Sequence, residues 1–277
     1  MSLAWLWISG ALAAHHIVRQ GETVDDIAQS LGDARLSARI RDLNGLARGE
    51  EPATGSVLDL PELATAKSNQ PAYVATLRGS GTMQPPNSTI QPLSVGMPLN
   101  IGSAVCTDAG SFARIRLARS VDSYEHDDIS LMPGTCLIVT STFATSGQRA
   151  SLVELQQGAV SVHAATEDGG EVTILSEAGM TTGEDGGFRV TLEETAARTE
   201  AVEGPVAVIG AGVEVSLEAG EGNRVSPGEV PGPAVKLLLP GKPLRPIDRA
   251  VLFRPSFRWE ADPAAFGYQI EFSTDPS

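Results

Sequence analysis

The sequence predicts a mainly β protein: a small βααβ module in front, a long all-β domain behind it, and a partial β-sandwich at the end. Three observations predict this. From about residue 73 to 230, short runs of alternating apolar and polar residues recur between Gly- and Asp-rich turns. Only residues 15–63 carry apolar side chains at helical spacing. The composition, with 29 glycines, 18 prolines and 5% aromatic residues, suits many tight turns joining short strands.

The chain has 277 residues, of which 42% are hydrophobic, enough for more than one domain with its own core. Residues 1–14 open it with an uncharged apolar run, Leu3 to Ala14. A membrane span takes ~20 residues, so this run is short for one. It ends on the small residues Ala11-Leu12-Ala13, as a signal-peptide core does, but no Lys or Arg precedes it. Two readings stand: a cleaved export signal, whose true start would lie upstream, or a truncated membrane anchor. Either places the protein in the periplasm or elsewhere in the cell envelope. The absence of a following Cys argues against a lipid-anchored lipoprotein.

The net charge is −14 and the pI about 4.7. Nucleic acid as a partner is excluded on that ground, because its phosphates need a basic face. Electrostatic docking to anionic lipid is disfavoured for the same reason.

In residues 15–63, Ile17-Val18 is a short β-type run. Gly21-Glu22-Thr23 follows, with Thr23 as N-cap of a helix marked by Val24, Ile27, Ala28 and Leu31 and stopped at Gly32. A second helix runs through Leu36, Ile40 and Leu43 to Asn44-Gly45, and Val57–Leu60 is a strand stopped by Pro61. The phrases His16-Ile17-Val18-Arg19-Gln20-Gly21-Glu22-Thr23, Val24-x-x-Ile27-Ala28, Leu43-Asn44-Gly45-Leu46 and Gly55–Pro61, in this order, resemble the LysM family. Glu22 departs from its usual Asp, and the charged stretch Arg48–Glu51 departs as well. The resemblance implies binding of peptidoglycan or another N-acetylglucosamine-containing glycan. It places the groove between Gly21, Glu22, Thr23 and Val24 on one side and Asn44, Gly45 and Leu46 on the other. Backbone N–H groups and the Asn44 amide would pair acetamido groups there, with an apolar wall opposite. Thr23 and Asn44 also read simply as a helix cap and a helix end.

Residues 64–72 read as a polar linker. In 73–230 the expected strands include Ala113–Leu117, Leu152–Leu155, Gly158–Val162, Glu171–Leu175, Phe188–Val190, Val206–Ile209 and Val213–Leu217. Gly210-Ala211-Gly212 reads as a hairpin turn and Glu194–Arg198 as a loop. The ordered phrases Val74–Gly79, Leu93-x-x-Gly96-x-x-Leu99-x-x-Gly102, Gly110–Leu117, Leu155-x-x-Gly158-x-Val160, Val202–Val206 and Val215–Gly222 resemble the FecR domain. Departures fall at Ala118-Arg119-Ser120 and at Asp185–Phe188. The resemblance implies a domain that meets other envelope proteins, in classical members as part of a sigma-factor regulatory system.

After Pro231-Gly232-Pro233, residues 234–277 contain Phe257–Glu260 and Tyr268–Phe272, with Trp259 and Tyr268 as core aromatics. They resemble the opening of a fibronectin-like sandwich, which leads us to expect a truncated product. Cys106 and Cys136 read either as a disulfide or as two buried thiols. Closing a loop of about 30 residues would contribute roughly 3–4 kcal/mol.

No zinc-protease motif, phosphate loop or nucleophile elbow occurs, so the sequence predicts no enzyme and no cofactor. His15-His16 is a weak metal candidate against a solvated terminus. Asp122, Glu125, Asp127 and Asp128 are a weak Ca²⁺ candidate against a solvated acidic loop. The leading expectation is a non-catalytic envelope protein that binds peptidoglycan and presents its β domain to an unidentified protein. The alternative is a periplasmic signalling component of a FecR-type sigma-factor system, and a glycan hydrolase comes third.

Overall fold

A computed structural model of the chain describes residues 14–18, 21–30, 36–60, 72–117, 126–145, 148–165, 170–238, 243–245 and 258–265. The signal or anchor, the stop at Gly32, most of the 64–72 linker, Asp122, Glu125 and the Tyr268 strand lie outside these residues. Two compact units form, 1–235 and 236–277. The described part of the second is small and includes strands at Pro243–Arg245 and Arg258–Trp259, which pair antiparallel.

The first unit begins with β1 (Ala14–Ile17), α1 (Val24–Ser30), α2 (Leu36–Leu43) and β2 (Val57–Leu60). β1 and β2 pair antiparallel, from Ala14 opposite Leu60 to Ile17 opposite Val57. Val24, Ile27 and Ala28 fall on one stripe of α1 because i, i+3 and i+4 share a helix face. They pack with Val18, Ile40, Leu58 and Leu60 in a core separate from that of the β domain. Leu43, expected on the buried stripe of α2, is instead 48% exposed. The reason is the helix end. Gly45 adopts φ +65° and the Leu46 N–H reaches back to the Arg41 carbonyl at 3.0 Å, as in a Schellman cap. The turn swings Leu46 onto the core, where Leu43 would otherwise sit.

The β domain alternates between two sheets as the chain advances. β3 (Ala72–Arg78) lies in the first sheet, β4 (Gly81–Gln84) and β5 (Gln91–Pro92) in the second, and β6 (Pro98–Leu99) in the first. β7 (Ala104–Thr107) belongs to the second sheet, and β8 (Phe112–Arg116) and β9 (Asp128–Leu131) to the first. β10 (Cys136–Thr145) and β11 (Gln148–Gln157) return to the second, with β12 (Ala159–Ala164) in the first. The hairpin of β13 (Gly170–Ser176) and β14 (Gly179–Gly183) lies in the second sheet. That of β15 (Gly186–Glu193) and β16 (Ala196–Glu203) lies in the first. β17 (Val206–Gly210) and β18 (Val213–Leu217) close the second sheet, while β19 (Glu221–Val225) and β20 (Val235–Lys236) close the first.

Each sheet has nine strands, in the orders β18-β17-β14-β13-β11-β10-β7-β4-β5 and β20-β19-β16-β15-β12-β9-β8-β3-β6. Apart from β5 and β6 at one edge of each sheet, both orders follow the chain, so the domain is a stack built largely hairpin by hairpin. β11 and β13 pair in parallel because β12, between them in sequence, crosses to the other sheet. Period-two side chains of both sheets, among them Val105, Ile115, Leu155, Val162, Ile174 and Phe188, meet in a single core. Inside it, the hydroxyls of Thr181 and Thr199 pair at 2.8 Å, satisfying two polar groups away from water.

The loop expected at Glu194–Arg198 is corrected: Ala196–Glu203 is strand β16, with Ala197 and Ala201 in the core. Small alanines carry little strand propensity. Here the flanking ladders of β15 and β19 hold the backbone extended. Gly210-Ala211-Gly212 turns as expected, with Ala211 at φ +48° and Gly212 at +76°, the two positive angles of a type I′ hairpin. The acidic loop is divided by the fold. Asp127 is buried and accepts the Ala165 N–H at 2.8 Å, whereas Asp128 stands in β9 beside Arg116. Among the described residues, no group of three or more His, Cys, Asp or Glu gathers as a metal site, and no helix is long and apolar enough to cross a membrane.

Cys106 and Cys136 are bonded to each other. They sit opposite one another on β7 and β10, on the outward face of the second sheet. Their neighbours Thr107 and Thr135 are a hydrogen-bonded pair, so the cysteines occupy the closer non-hydrogen-bonded position, with Cα atoms 4.1 Å apart.

Candidate functional site

Thr23 and Val24, both named from the sequence, stand at the start of α1. Thr23 caps α1: its Oγ1 accepts the Asp26 N–H at 3.1 Å, and an Asp26 carboxylate oxygen accepts the Thr23 N–H at 3.0 Å. This is a capping box with Asp in place of Glu. The Thr23 hydroxyl also donates to Asp26 at 2.6 Å. These two Thr23 bonds hold the Asp26 carboxyl below its ordinary pKa.

Val24 buries its side chain in the module core, so only its backbone faces the loops. That N–H is taken by Glu51 Oε2 at 2.8 Å. Glu51 Oε1 receives the Arg41 guanidinium at 2.7 Å, and Arg41 also donates to the Glu50 carbonyl. Arg41 first, and the Val24 N–H second, lower the Glu51 pKa. Glu51 therefore ties the start of α1 to the loop after α2. The sequence marked Arg48–Glu51 only as a departure from the LysM pattern. The spacing between Arg41 and Glu51 carries no local signal for such a tie.

Glu22 reaches His16 Nε2 at 2.9 Å, a contact that suits a carboxylate with one more methylene than Asp. Gly21 is exposed and at φ +76°.

On the opposite side, the Asn44 amide does not do what the sequence led us to expect. Nδ2 donates to the Ile40 carbonyl at 2.7 Å and to the Asp59 carbonyl at 2.8 Å, and Oδ1 accepts the Asp59 N–H at 2.7 Å. Both of its donors are committed to the fold. Gly45 is exposed and Leu46 half-buried against the core. Of the residues named from the sequence, Gly21 and Gly45 are exposed and Glu22, Thr23 and Leu46 half-buried, while the Asn44 donors are taken by the fold.

The module rests on the β domain through the loop before β2. Met180 and Ile209 point outward from the second sheet, away from its core partners, yet are only 4% and 6% exposed. Gly55, at φ +81°, lies over them: a Cβ there would come within 2.7 Å of Ile209 Cγ2 and 3.8 Å of Met180 Cε. Only glycine allows both that angle and that approach.

No protein-family model matches the chain, and no curated protein matches it. Among solved structures, two crystal structures each described as a "putative anti-sigma factor" from Parabacteroides distasonis resemble it, with TM-scores of 0.39 and 0.38 and identities of 17% and 16%. Each match covers 48% of this chain and 59% of that one. Likeness at this level carries no argument about function.

Proposed function

We propose that this is a non-catalytic binding protein of the cell envelope. In this reading the βααβ module takes an N-acetylglucosamine-containing glycan such as peptidoglycan, and the β domain offers its sheet faces to protein. The observation behind it is the 2.8 Å hydrogen bond from the Val24 N–H to Glu51, which ties the Gly21–Val24 loop to the segment after α2. Recognition rests on the loop backbones and Leu46, not on the Asn44 amide. One shallow site of this kind is weak, with a Kd of about 0.1–1 mM.

The test is co-sedimentation of the full chain with insoluble peptidoglycan. Wild type should pellet and Leu46→Asp should stay in solution with unchanged circular dichroism. Equal pelleting of the two would remove the module from the function.

The second reading makes the β domain a periplasmic component of a FecR-type sigma-factor system. It rests on the ordered FecR-like phrases between Val74 and Gly222. The neighbouring structures bear a related description, without adding weight at their TM-scores. Deleting the gene and measuring sigma-dependent transcription separates the readings: an altered response supports signalling, and an unaltered one supports the scaffold.

A further inference from the structure

Four strands end the two sheets: β5 and β18 in the second, β6 and β20 in the first. Three of them are poor templates for a further strand. β5, β6 and β20 are two residues long, β5 and β6 each carry a proline, which lacks an N–H, and β20 ends on Lys236. β18 has none of these devices. It runs for five residues, Val213-Glu214-Val215-Ser216-Leu217, and among the described residues no strand pairs with its outer edge.

The register of the β17–β18 hairpin fixes which groups face that edge. Gly210 and Val213 flank the type I′ turn and form a hydrogen-bonded pair, and the alternation makes Val208–Val215 and Val206–Leu217 such pairs too. The N–H and C=O groups of Glu214 and Ser216 therefore point to the open edge, and Ser216 is exposed. On the core side Val213 is 45% exposed and Val215 half-buried, so apolar surface is left at the same edge.

We propose that β18 is the seam of a homodimer, pairing antiparallel with β18 of a second copy about a two-fold axis through Val215. The strand is self-complementary in this register. Glu214 stands opposite Ser216 of the second copy on both sides of the axis, and their backbones exchange hydrogen bonds. Val215 meets its own copy in the closer, non-hydrogen-bonded position, and the two valines cover each other on the core side. A slip by two residues keeps the hydrogen-bond pattern but sets Glu214 against Glu214 or Glu218 of the second copy, and like charges directly opposed destabilise a sheet. A slip by one residue leaves the outward N–H and C=O groups unmatched. The axis stands perpendicular to the sheet, so both βααβ modules, resting on the outward faces at Met180 and Ile209, lie on one side of the dimer. Each touches the turn end of β17, and the axis sends those two ends to opposite ends of the seam. The inference goes beyond the proposed function and does not depend on it.

The test is sedimentation velocity of the full chain from about 5 µM to about 1 mM, the range of weak association. Wild type should pass from monomer to dimer. Ser216→Lys puts an ammonium opposite Glu214 twice per dimer and should tighten association roughly three- to tenfold, and Ser216→Glu should weaken it by a similar factor. Ser216→Pro removes an outward N–H without touching the bonds to β17 and should leave monomer. On oxidation with diamide, Val215→Cys should give a disulfide-linked dimer because the axis brings its two copies together, whereas Ser216→Cys should not. Wild type that stays monomeric at every concentration overturns the proposal and needs no variant to fold. So does a dimer that Ser216→Lys and Ser216→Glu, in proteins with native circular dichroism, leave unchanged or shift alike.

Discussion

Asn44 and Asp59 are joined like two residues of neighbouring strands: the Asn44 carboxamide donates to the Asp59 carbonyl at 2.8 Å and accepts its N–H at 2.7 Å. One side chain thereby fastens the end of α2 to β2. The same residue type that a glycan site would use as a donor serves here as a structural clamp.

Replacing Asn44 by Ala removes both of these bonds and the one to Ile40. Net hydrogen bonds contribute about 1 kcal/mol each, so the module should lose roughly 2–3 kcal/mol. Hydrogen exchange at the Asp59 amide is the direct readout. An Asp59 amide as protected in Asn44→Ala as in wild type would contradict the clamp.

Acid should loosen the entry to α1. Asp26 and Glu51 both have pKa values lowered in the fold from ordinary values of 3.8 and 4.5. Depressed carboxyl pKa values stabilise the folded state above the unfolded values, and that contribution is lost as pH falls through the folded ones. Both groups are exposed, so the effect is modest and screened by salt. Amide exchange in α1, compared with global unfolding between pH 6 and pH values below 3.8, should show a local loss of protection. Asp26→Asn with Glu51→Gln should flatten that profile, and an unchanged profile would count against the ties.

The bond between Cys106 and Cys136 spans 30 residues of sequence. On the chain-entropy account its removal in the paired Ser variant costs roughly 3–4 kcal/mol. Urea unfolding of the β domain should show this as a lower midpoint. Unreduced, denatured protein should resist alkylation at both positions, and full labelling would refute the pairing.

Gly55→Val should release the module from the β domain. The new side chain needs a positive φ and would overlap Ile209, whose Cγ2 lies 2.7 Å from the position of a Cβ. Limited proteolysis should then cut faster between the module and Ala72, and the amides around Met180 and Ile209 should exchange faster. The βααβ core, built from Val24, Ile27 and Ile40, should stay folded. Unchanged exchange at Met180 would show that the contact holds without glycine.

The module's element order was legible because its cues are local: Val24, Ile27 and Ala28 at helical spacing, Thr23 before them, and Gly45 after α2. The strand at Val213–Leu217 was legible for the same reason, its alternation being clean. β16 was not, since Ala196 and Ala197 carry no alternation and become a strand only between β15 and β19. Glu51 was missed because its partners, Val24 and Arg41, lie far from it in sequence.

By itself the sequence determined the mainly β character, the βααβ order and the pairing options of the two cysteines, since these follow from short-range periodicity, capping and composition. Only the tertiary structure decided that Cys106 faces Cys136 and that the Asn44 amide is bound to Asp59. It alone set Met180 and Ile209 beneath Gly55. Each of these depends on register between segments distant in the chain, where a one-residue slip of a strand reverses the face of every side chain it carries.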